Sequence, residues 1–356
     1  MPSDAAKANA TLLFAAEDLR RWTASVFVAA GARAEDAQTT ADVLVRTSLR
    51  GIDTHGVARI LIYLEKVRSG EVNAQPNPTS ERRDGVLYFD GDGGLGQSMG
   101  MQAVRAVVDL ARETSVVTCI LRRSGHLAAL GQFVLEAAEQ GMVALLCQET
   151  PALMALPRST RPGIGNNPIA FAAPVAGKPP LVFDIAASVV ARGNFAQALR
   201  DNQPIPEGWA IGSNGEPTTD ALTALNGAAL PIAGHKGIGL AMMVQVLAGS
   251  LSASVTAASA AANAASGSAG NVSGFLMVIN PDRMIGRDAF DAHMATWLVT
   301  YRASSAQGAR YPGERAAELE QVRAVSGIPV PLSLVAELRK AGDLVGRPFG
   351  LVPRPA

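Results

Sequence analysis

The sequence predicts an α/β or α+β chain in which helices cover a mixed sheet. Of the 356 residues, 48% are apolar, which is enough for a large core and for two or three domains. Short apolar runs with strand character alternate with longer segments whose apolar residues recur at helical spacing. This mixture of elements is typical of a sheet layer packed against helices.

The first part of the chain is predicted to be helical. Apolar periodicity favours helices over residues 16–31, 34–50 and about 55–70, and Gly31 supplies a stop for the first of them. Residues 73–79 include two prolines and form the expected linker. Strands are expected only after this linker.

The middle of the chain carries the strand signals. Apolar runs indicate strands over residues 86–90, 116–121, 142–146, 169–173, 181–184 and 275–280, and helices are expected over 99–113 and 127–140. The dipeptide Asn214-Gly215 is typical of a hairpin turn. These elements are those of a sheet covered by helices.

The rest of the chain is predicted to be mainly helical. An apolar helix is expected over residues 239–251, and further helices over 287–304, 316–325 and 329–340, the last with a proline at its start. Residues 252–268 form an Ala/Ser-rich tract with little side-chain volume to pack. Such a composition indicates a mobile loop or a poorly anchored helix.

Composition excludes several classes of partner. Lysine plus arginine equals aspartate plus glutamate at 31 each, so no basic excess points to nucleic acid. No apolar run reaches the roughly 20 residues that span a bilayer, and the N-terminus lacks the pattern of a secretory leader. Cys119 and Cys147 both lie in apolar runs, which fits buried thiols in a reducing compartment. We therefore expect a cytoplasmic protein that binds neither nucleic acid nor membranes.

His55 and Arg59 are the strongest candidate functional pair. A histidine can exchange a proton near neutrality, and a guanidinium binds a carboxylate through a bidentate fork. Positions four apart share a helix face, so a helix that begins near residue 55 would aim both side chains at one small molecule. The pair suits a dehydrogenase of 2-oxo or 2-hydroxy acids, although a surface His and Arg at a helix start would have the same spacing.

A glycine-rich segment offers a second candidate site. Gly91-Asp-Gly-Gly-Leu-Gly96 satisfies the G-x-G-x-x-G pattern of dinucleotide-binding loops, between a predicted strand and a predicted helix. However, the next strand leads into Arg122-Arg123 instead of an acidic residue, and no well-formed βαβ unit follows residue 148. A glycine-rich turn near the active site is therefore favoured over a Rossmann site.

Seven motifs follow one another along most of the chain. They are RGIDTHG from Arg50, DGDGGLGQ from Asp90, SGH from Ser124, GNNPIAF from Gly165, FDIAASVVARG from Phe183, PIPEGW from Pro204 and GHKGIGL from Gly234. Together they resemble the type-2 malate/L-lactate dehydrogenase family, which is unrelated in fold to the Rossmann lactate and malate dehydrogenases. Its members include malate, sulfolactate and ureidoglycolate dehydrogenases, a diketogulonate reductase and piperideine-2-carboxylate reductases.

The resemblance implies a non-Rossmann fold in which both chain ends build a helical domain. Residues 1–80 would form its N-terminal part, and residues 221–271 and 283–356 would pack with it. Residues 81–220 would form the α/β cofactor-binding domain, to which a strand within 272–282 returns. The resemblance also implies a homodimer with the cofactor near the subunit boundary.

The resemblance further implies a proton relay around His55. Asp184 matches the family's aspartate, and Thr54 stands where relatives usually carry serine, so a hydroxyl, an imidazole and a carboxylate would act together. From the residues alone, Asp53 is a rival partner for His55, and Asp184 could instead cap the turn after its strand. His126 is a second candidate acid or base, and the choice between the two histidines as main proton donor stays open.

A nicotinamide cofactor, NAD or NADP, is implied by the same resemblance. Its contacts would come from a strand end, from a Gly-Glu-Arg segment and from a helix start where a lysine and free amides suit phosphate. The implied residues are Thr150, Phe183, Asp184, Ile185, Ala186, Ser188, His235, Lys236, Gly313, Glu314 and Arg315. Asn166 departs from the family pattern, which usually has threonine there.

These observations favour an NAD(P)-dependent oxidoreductase that moves hydride between nicotinamide and the carbon next to a carboxylate. An NADPH-dependent cyclic ketimine reductase acting on piperideine-2-carboxylate is the alternative within the same chemistry. A non-catalytic protein that binds small acids would not need a proton relay, and a hydrolase using Thr54 or Ser48 lacks a nucleophile-elbow motif. A metal site is not expected, because the four histidines show no ligand spacing. Neither the acid nor the choice between NADH and NADPH follows from a motif.

Overall fold

The computed structural model describes residues 11–156, 159, 161–253 and 272–355, and it has the mixed α/β architecture that the sequence predicts. Two short 3-10 turns, Asp53–His55 and Val57–Arg59, precede the third helix. The α-helices are, in chain order, α1 (Ala16–Ala29), α2 (Ala34–Leu49), α3 (Ile60–Ser69), α4 (Gly96–Ala111), α5 (Gly131–Glu139), α6 (Arg192–Arg200), α7 (Ala221–Asn226), α8 (His235–Val244), α9 (Arg287–Ala303), α10 (Glu314–Ser326) and α11 (Leu332–Asp343).

The strands belong to three sheets. They are β1 (Thr11–Phe14), β2 (Thr79–Arg83), β3 (Val86–Asp90), β4 (Val116–Arg122), β5 (Val143–Gln148), β6 (Met154–Ala155), β7 (Pro162–Ile164), β8 (Ile169–Ala173), β9 (Leu181–Ile185), β10 (Ala210–Ile211), β11 (Pro217–Thr218), β12 (Ala228–Ala229), β13 (Gly274–Ile279) and β14 (Ile328–Pro331). Within the described part of the chain, the central sheet has the order β2-β3-β4-β13-β5-β8-β9.

The late strand β13 lies inside the central sheet. It pairs antiparallel with both β4 and β5, whereas β3 and β4 are parallel and enclose α4. A smaller sheet has the order β11-β10-β12-β6-β7, and the hairpin expected at Asn214-Gly215 joins β10 to β11. The strands in the middle of the chain agree with the predicted ranges to within about two residues.

The two largest hydrophobic cores among the described residues hold these layers together. One lies between the central sheet and helices α4 and α5, and it includes Val104, Phe133 and Leu276. The other joins the two ends of the chain, where β1 pairs with β14 and the Trp22 ring packs edge-on against Phe349 with 4.7 Å between centroids. Burying a large apolar side chain contributes roughly 1.5–3 kcal/mol. The pairing of β1 with β14 and the contact between Trp22 and Phe349 thus bring the two ends of the chain together. The division into domains stays a prediction.

Helices α9 and α10 leave apolar side chains on the surface. In α9 the only buried side chain is Leu298, whereas Trp297 and Val299 are more than half exposed. In α10 no residue is buried, and Val322 and Val325 are exposed. Exposed apolar patches of this kind are typical of contact surfaces.

No helix among the described residues is both long enough and apolar enough to cross a bilayer.

Several predicted helix boundaries are wrong. The helix predicted over 127–140 begins only at Gly131, and the one predicted over 99–113 begins at Gly96. The third helix does not begin near residue 55, because Gly56, at φ −94° and ψ −131°, lies outside the helical region and splits the segment into the two 3-10 turns. The last helix begins after Pro331, since residues 328–331 pair with β1 instead. The helix expected over 239–251 starts earlier, at His235, and ends as a π-helix over Gln245–Ser250.

The Ala/Ser-rich tract lies largely outside the described residues, which stop at 253 and resume at 272. Ser252 at its start is buried, and its hydroxyl donates to the carbonyl of Ala248. The strands β1, β2, β6, β7 and β12 were not expected, and β10 and β11 were expected only through the hairpin turn. All of these except β2 have two to four residues, too few for an apolar alternation to stand out, and β2 is a polar, exposed run.

Gly56 fixes the segment that carries His55 against α2. A Cβ atom at this position would lie 2.0 Å from the Ser48 hydroxyl and 3.0 Å from the Leu44 carbonyl. The same hydroxyl accepts a hydrogen bond from the Val57 amide at 3.0 Å. Only glycine allows this close approach, and the approach sets the position of both 3-10 turns.

We predict that Gly56→Ala lowers the free energy of unfolding by about 1–3 kcal/mol, because the added methyl group overpacks the contact with Ser48. Chemical denaturation of both proteins measures the difference. Gly239→Ala is the matched control, since a Cβ there meets no atom within 4 Å and the position lies in a helix. A Gly56→Ala protein as stable as wild type would show that the segment is not held by this contact.

Candidate active site

The 3-10 turns place Thr54, His55 and Arg59 in one compact group. The Thr54 hydroxyl is 3.0 Å from His55 Nδ1, and Arg59 Nε donates to the Thr54 carbonyl at 2.7 Å. The helix that was expected to align His55 with Arg59 is absent here, but this pair of hydrogen bonds brings the two side chains together instead. The expected proximity therefore holds for a different structural reason.

His126 lies opposite His55. The two imidazole rings have centroids 6.5 Å apart, and His126 Nδ1 is 2.7 Å from the hydroxyl of Tyr63. Tyr63 is buried in α3, four residues after Arg59, and it was missed in the sequence. The i, i+4 spacing from Arg59 was the signal that could have found it.

Both histidines are held neutral. Burial and, to a smaller extent, the Arg59 charge together lower the pKa of His55 to about 4. Burial also lowers the pKa of His126 to about 3, with contributions from His55, Arg59 and Lys66. Removing an imidazolium from water and placing it beside other cations both disfavour its charged form. At neutral pH both rings are therefore uncharged.

Arg59 has no carboxylate partner among the described residues, in contrast to arginines such as Arg50 and Arg323, which form ion pairs. Its Nη2 atom lies so close to Gly193 that a Cβ there would be 2.6 Å away. Thr54, Arg59 and Gly193 line a hollow of about 410 Å³. A half-buried guanidinium with a free fork is suited to bind a carboxylate from solution.

Neither candidate carboxylate bonds to His55 in the described structure. Asp53 forms an ion pair with Arg323 of α10 at 2.7 Å, so it is not the partner of His55. Asp184 accepts a hydrogen bond from the Gly131 amide at 2.7 Å and thus caps α5. The expected relay is present only as the contact between Thr54 and His55, because the carboxylate of Asp184 is directed to the helix start.

Asp184 lies in a separate cleft of about 460 Å³. Burial raises the pKa of this carboxyl to about 6, and the Gly131 amide opposes the shift. Gly131 of this cleft follows His126 by five residues in the sequence. Its lining is Arg50, Ile52, Gly131, Gln132, Val182, Asp184, Tyr301, Arg310, Tyr311, Pro312, Gly313, Arg315 and Ala316.

The lining of this cleft fits a dinucleotide. Its volume is in the range of small-molecule sites, about 300–1,000 Å³. Arg315 has no carboxylate partner among the described residues and could face a phosphate. Gly313, at φ 104°, lies so close to strand β9 that a Cβ would be 2.8 Å from the Val182 amide. By contrast, the Glu314 carboxylate accepts from the Tyr311 amide and pairs with Arg302, so it is occupied.

Most of the other residues that were expected to contact the cofactor lie on β9 or in the segment that follows it. Phe183 is partly exposed on β9, and Ile185, Ala186 and Ser188 follow along the same stretch. The Ala187 amide donates to the Asn166 carbonyl, and the Thr150 hydroxyl donates to the Asn166 side chain at 2.9 Å. The structure thus brings this set of residues onto one strand and its neighbours.

His235 and Lys236 lie at the start of α8, next to the same segment. The Ile232 amide just before them donates to the Ala187 carbonyl, and both side chains are exposed. The amides of Lys236 and Gly237 donate within their own turn, so they are not free for a phosphate. The ammonium group of Lys236 is therefore available to bind a phosphate, whereas these two backbone amides are not.

The glycine-rich segment packs against His126. The amides of Gly91 and Gly93 donate to the carbonyls of Arg122 and Arg123, so they are occupied within the turn. A Cβ at Gly96 would lie 2.3 Å from the His126 carbonyl. The segment is therefore a tight turn beside His126, in the place that the sequence analysis favours.

No group of three or more His, Cys, Asp or Glu side chains that could hold a metal ion occurs among the described residues. Cys119 and Cys147 are unpaired and buried, and burial raises the pKa of each thiol to about 12. Neither cysteine is suited to act as a nucleophile, because a buried thiol stays protonated.

Comparison with known proteins places this site in a family. The family model described as malate/L-lactate dehydrogenase matches residues 14–339. The chain belongs to the malate/L-lactate dehydrogenase family. It is therefore an oxidoreductase, as the sequence predicted, and its non-Rossmann fold is that of this family.

The relatives carry out related chemistry on different acids. The chain is 36% identical over 303 residues to a Δ1-pyrroline-2-carboxylate/Δ1-piperideine-2-carboxylate reductase from Pseudomonas aeruginosa, covering 85% of this chain and 90% of the relative. It is 34% identical over 311 residues to a (2R)-3-sulfolactate dehydrogenase (NADP(+)) from Chromohalobacter salexigens, covering 85% and 90%. The solved malate dehydrogenase from Pyrococcus horikoshii superimposes with a TM-score of 0.84 at 29% identity, covering 97% of each chain.

We predict that Arg59→Gln raises the pKa of His55 from about 4 toward the ordinary value near 6.5, because a nearby positive charge disappears. Burial still lowers the pKa of His55 in this variant, so the pKa returns only part of the way to its ordinary value. Imidazole NMR signals followed through a pH titration measure the shift, and Arg68→Gln on the exposed end of α3 is the control. An unchanged His55 titration in the Arg59 variant would show that this guanidinium does not act on the imidazole.

Proposed function

We propose that the enzyme transfers hydride between the nicotinamide of NAD or NADP and the carbon next to the carboxylate of a small 2-oxo or 2-hydroxy acid. The observation that carries this proposal is the unpaired guanidinium of Arg59 beside two neutral imidazoles. A small organic anion would supply the missing partner. The carbon next to its carboxylate would then lie close to His55 and His126.

In this proposal Arg59 binds the carboxylate and His55 moves the proton. Nδ1 of His55 is occupied by the Thr54 hydroxyl, so Nε2 is the nitrogen left for the substrate. In the oxidation of a 2-hydroxy acid, neutral His55 accepts the hydroxyl proton at Nε2. A carboxylate on Arg59 offsets the charge that lowers the pKa of His55, so substrate binding favours this proton transfer. In reduction, the same nitrogen returns the proton to the oxygen.

The nicotinamide cofactor, when bound, accepts or supplies the hydride. The residues that we propose to hold it line the cleft of Asp184 and Arg315 and border β9. The guanidinium of Arg315 and the ammonium of Lys236 are the charges suited to its phosphates. Asp184 on β9, which accepts a hydrogen bond from the Gly131 amide at the start of α5, is the carboxyl group of this cleft.

A cyclic imine is the second candidate substrate. A cavity of about 130 Å³ adjoins His126, and the one cation that lines it among the described residues, Lys66, is paired with Glu71 at 2.6 Å. Apolar side chains form most of its walls, which suits a carbon ring better than a second carboxylate. The lining is Tyr63, Lys66, Val72, Leu95, Gly96, Gly125, His126, Pro151 and Val272.

We further propose a cytoplasmic homodimer. The apolar side chains exposed on α9 and α10 would be covered by a second copy of the chain. Two buried, unpaired thiols fit a reducing compartment. The balanced charge of the chain supports small-molecule substrates over nucleic acid.

We predict that the protein changes the absorbance of reduced nicotinamide when it is mixed with NADH or NADPH and a panel of 2-oxo acids and cyclic imines. His55→Ala should abolish turnover, because the proton acceptor is lost, while the Kd of the cofactor stays within about twofold of wild type. His293→Ala, an exposed histidine of α9, is the control. Absence of turnover with every member of the panel would refute the proposed function. Loss of cofactor binding in His55→Ala would refute the role of His55.

A further inference from the structure

Tyr63 connects His126 to the interior of the protein. Its side chain is only 4% exposed, and its hydroxyl is 2.7 Å from His126 Nδ1. One of these two atoms must donate the proton of this hydrogen bond. If the phenol donates, neutral His126 carries its own proton on Nε2, and if the imidazole donates, Nε2 is a bare acceptor.

The lack of another acceptor for the phenolic proton among the described residues decides between these two arrangements. Within this part of the chain, the buried Tyr63 hydroxyl forms its hydrogen bond with His126 Nδ1. The neighbouring Gln97 side chain donates through Nε2 to the His126 carbonyl at 3.0 Å, and its Oε1 accepts no hydrogen bond in the described structure. A buried O–H group without an acceptor is costly, so the phenol donates its proton to His126 Nδ1.

The surroundings of His126 disfavour a second proton on its ring. Arg59 and Lys66 contribute positive charge, and the ring of His55 lies 6.5 Å away between centroids. If His55 takes up a proton during the reaction, it makes a charged His126 less favourable still. The two adjacent histidines can therefore both take part in the reaction only if one of them stays neutral.

We propose that Tyr63 is a positioning residue that holds His126 as the neutral tautomer with its proton on Nε2. His126 then donates a hydrogen bond to the substrate oxygen or imine nitrogen, while His55 carries the proton that is exchanged. This assignment rests on the proposed function. A fixed neutral donor of this kind stabilises negative charge that develops on the oxygen without giving up its proton.

Histidine-selective ¹⁵N NMR of the full-length wild-type protein tests the tautomer directly. We expect the His126 ring to show a protonated Nε2 and an unprotonated Nδ1 from pH 6 to pH 8. A protonated Nδ1 in wild type would overturn the proposal. Because this measurement needs neither a variant at Tyr63 nor turnover, its failure can be told apart from a failure of the proposed function.

Tyr63→Phe tests the consequence for catalysis, because it removes only the hydroxyl. We expect His126 to become a mixture of tautomers and kcat to fall about 10- to 100-fold, as when other supporting hydrogen bonds are removed. The KM for the acid and the Kd of the cofactor should change far less, since the lost interaction matters most in the transition state. Tyr88→Phe on β3 is the control and should behave as wild type. Unchanged kcat and an unchanged tautomer in a folded Tyr63→Phe protein would overturn the proposal.

Discussion

A cation without a partner is the constraint on which this site depends. Arg59 is tied down by one hydrogen bond from Nε to the Thr54 carbonyl, and among the described residues no carboxylate meets the rest of its guanidinium. Its charge lowers the pKa of His55 and of His126. An anion that binds Arg59 would relieve this repulsion, so substrate binding and proton transfer are coupled through a single guanidinium.

Close backbone contacts hold together the elements that surround this group. Gly56 brings the His55 segment against α2, and Gly96 brings the glycine-rich turn against the carbonyl of His126. Gly313 brings the start of α10 against β9, at the edge of the Asp184 cleft. Each glycine allows an approach that a Cβ would prevent. Elements that are distant in the sequence are therefore packed closely against one another, which keeps the polar groups of the site in fixed positions.

The sequence predicted six of the seven strands of the central sheet well, because they are apolar runs bounded by turns, but it missed the polar edge strand β2. It failed where tertiary pairing decides the structure: Pro329 lies in a strand because β1 pairs with it, and no local pattern reports that partner. His55 and Arg59 are neighbours as predicted, although 3-10 turns and not a helix bring them together. Asp184 was expected beside His55, but it caps α5, because hydrogen-bond partners across the fold leave no trace in spacing. Tyr63 was missed for the same reason.

The most direct test of the central claim is a crystal structure of the full chain with a nicotinamide cofactor and oxamate, a 2-oxo acid analogue. The account predicts that the oxamate carboxylate accepts hydrogen bonds from the Nη atoms of Arg59, with its carbonyl oxygen within reach of Nε2 of His55 and of His126. A carboxylate bound instead by Lys66 or Arg315, with the Arg59 fork still empty, would contradict it.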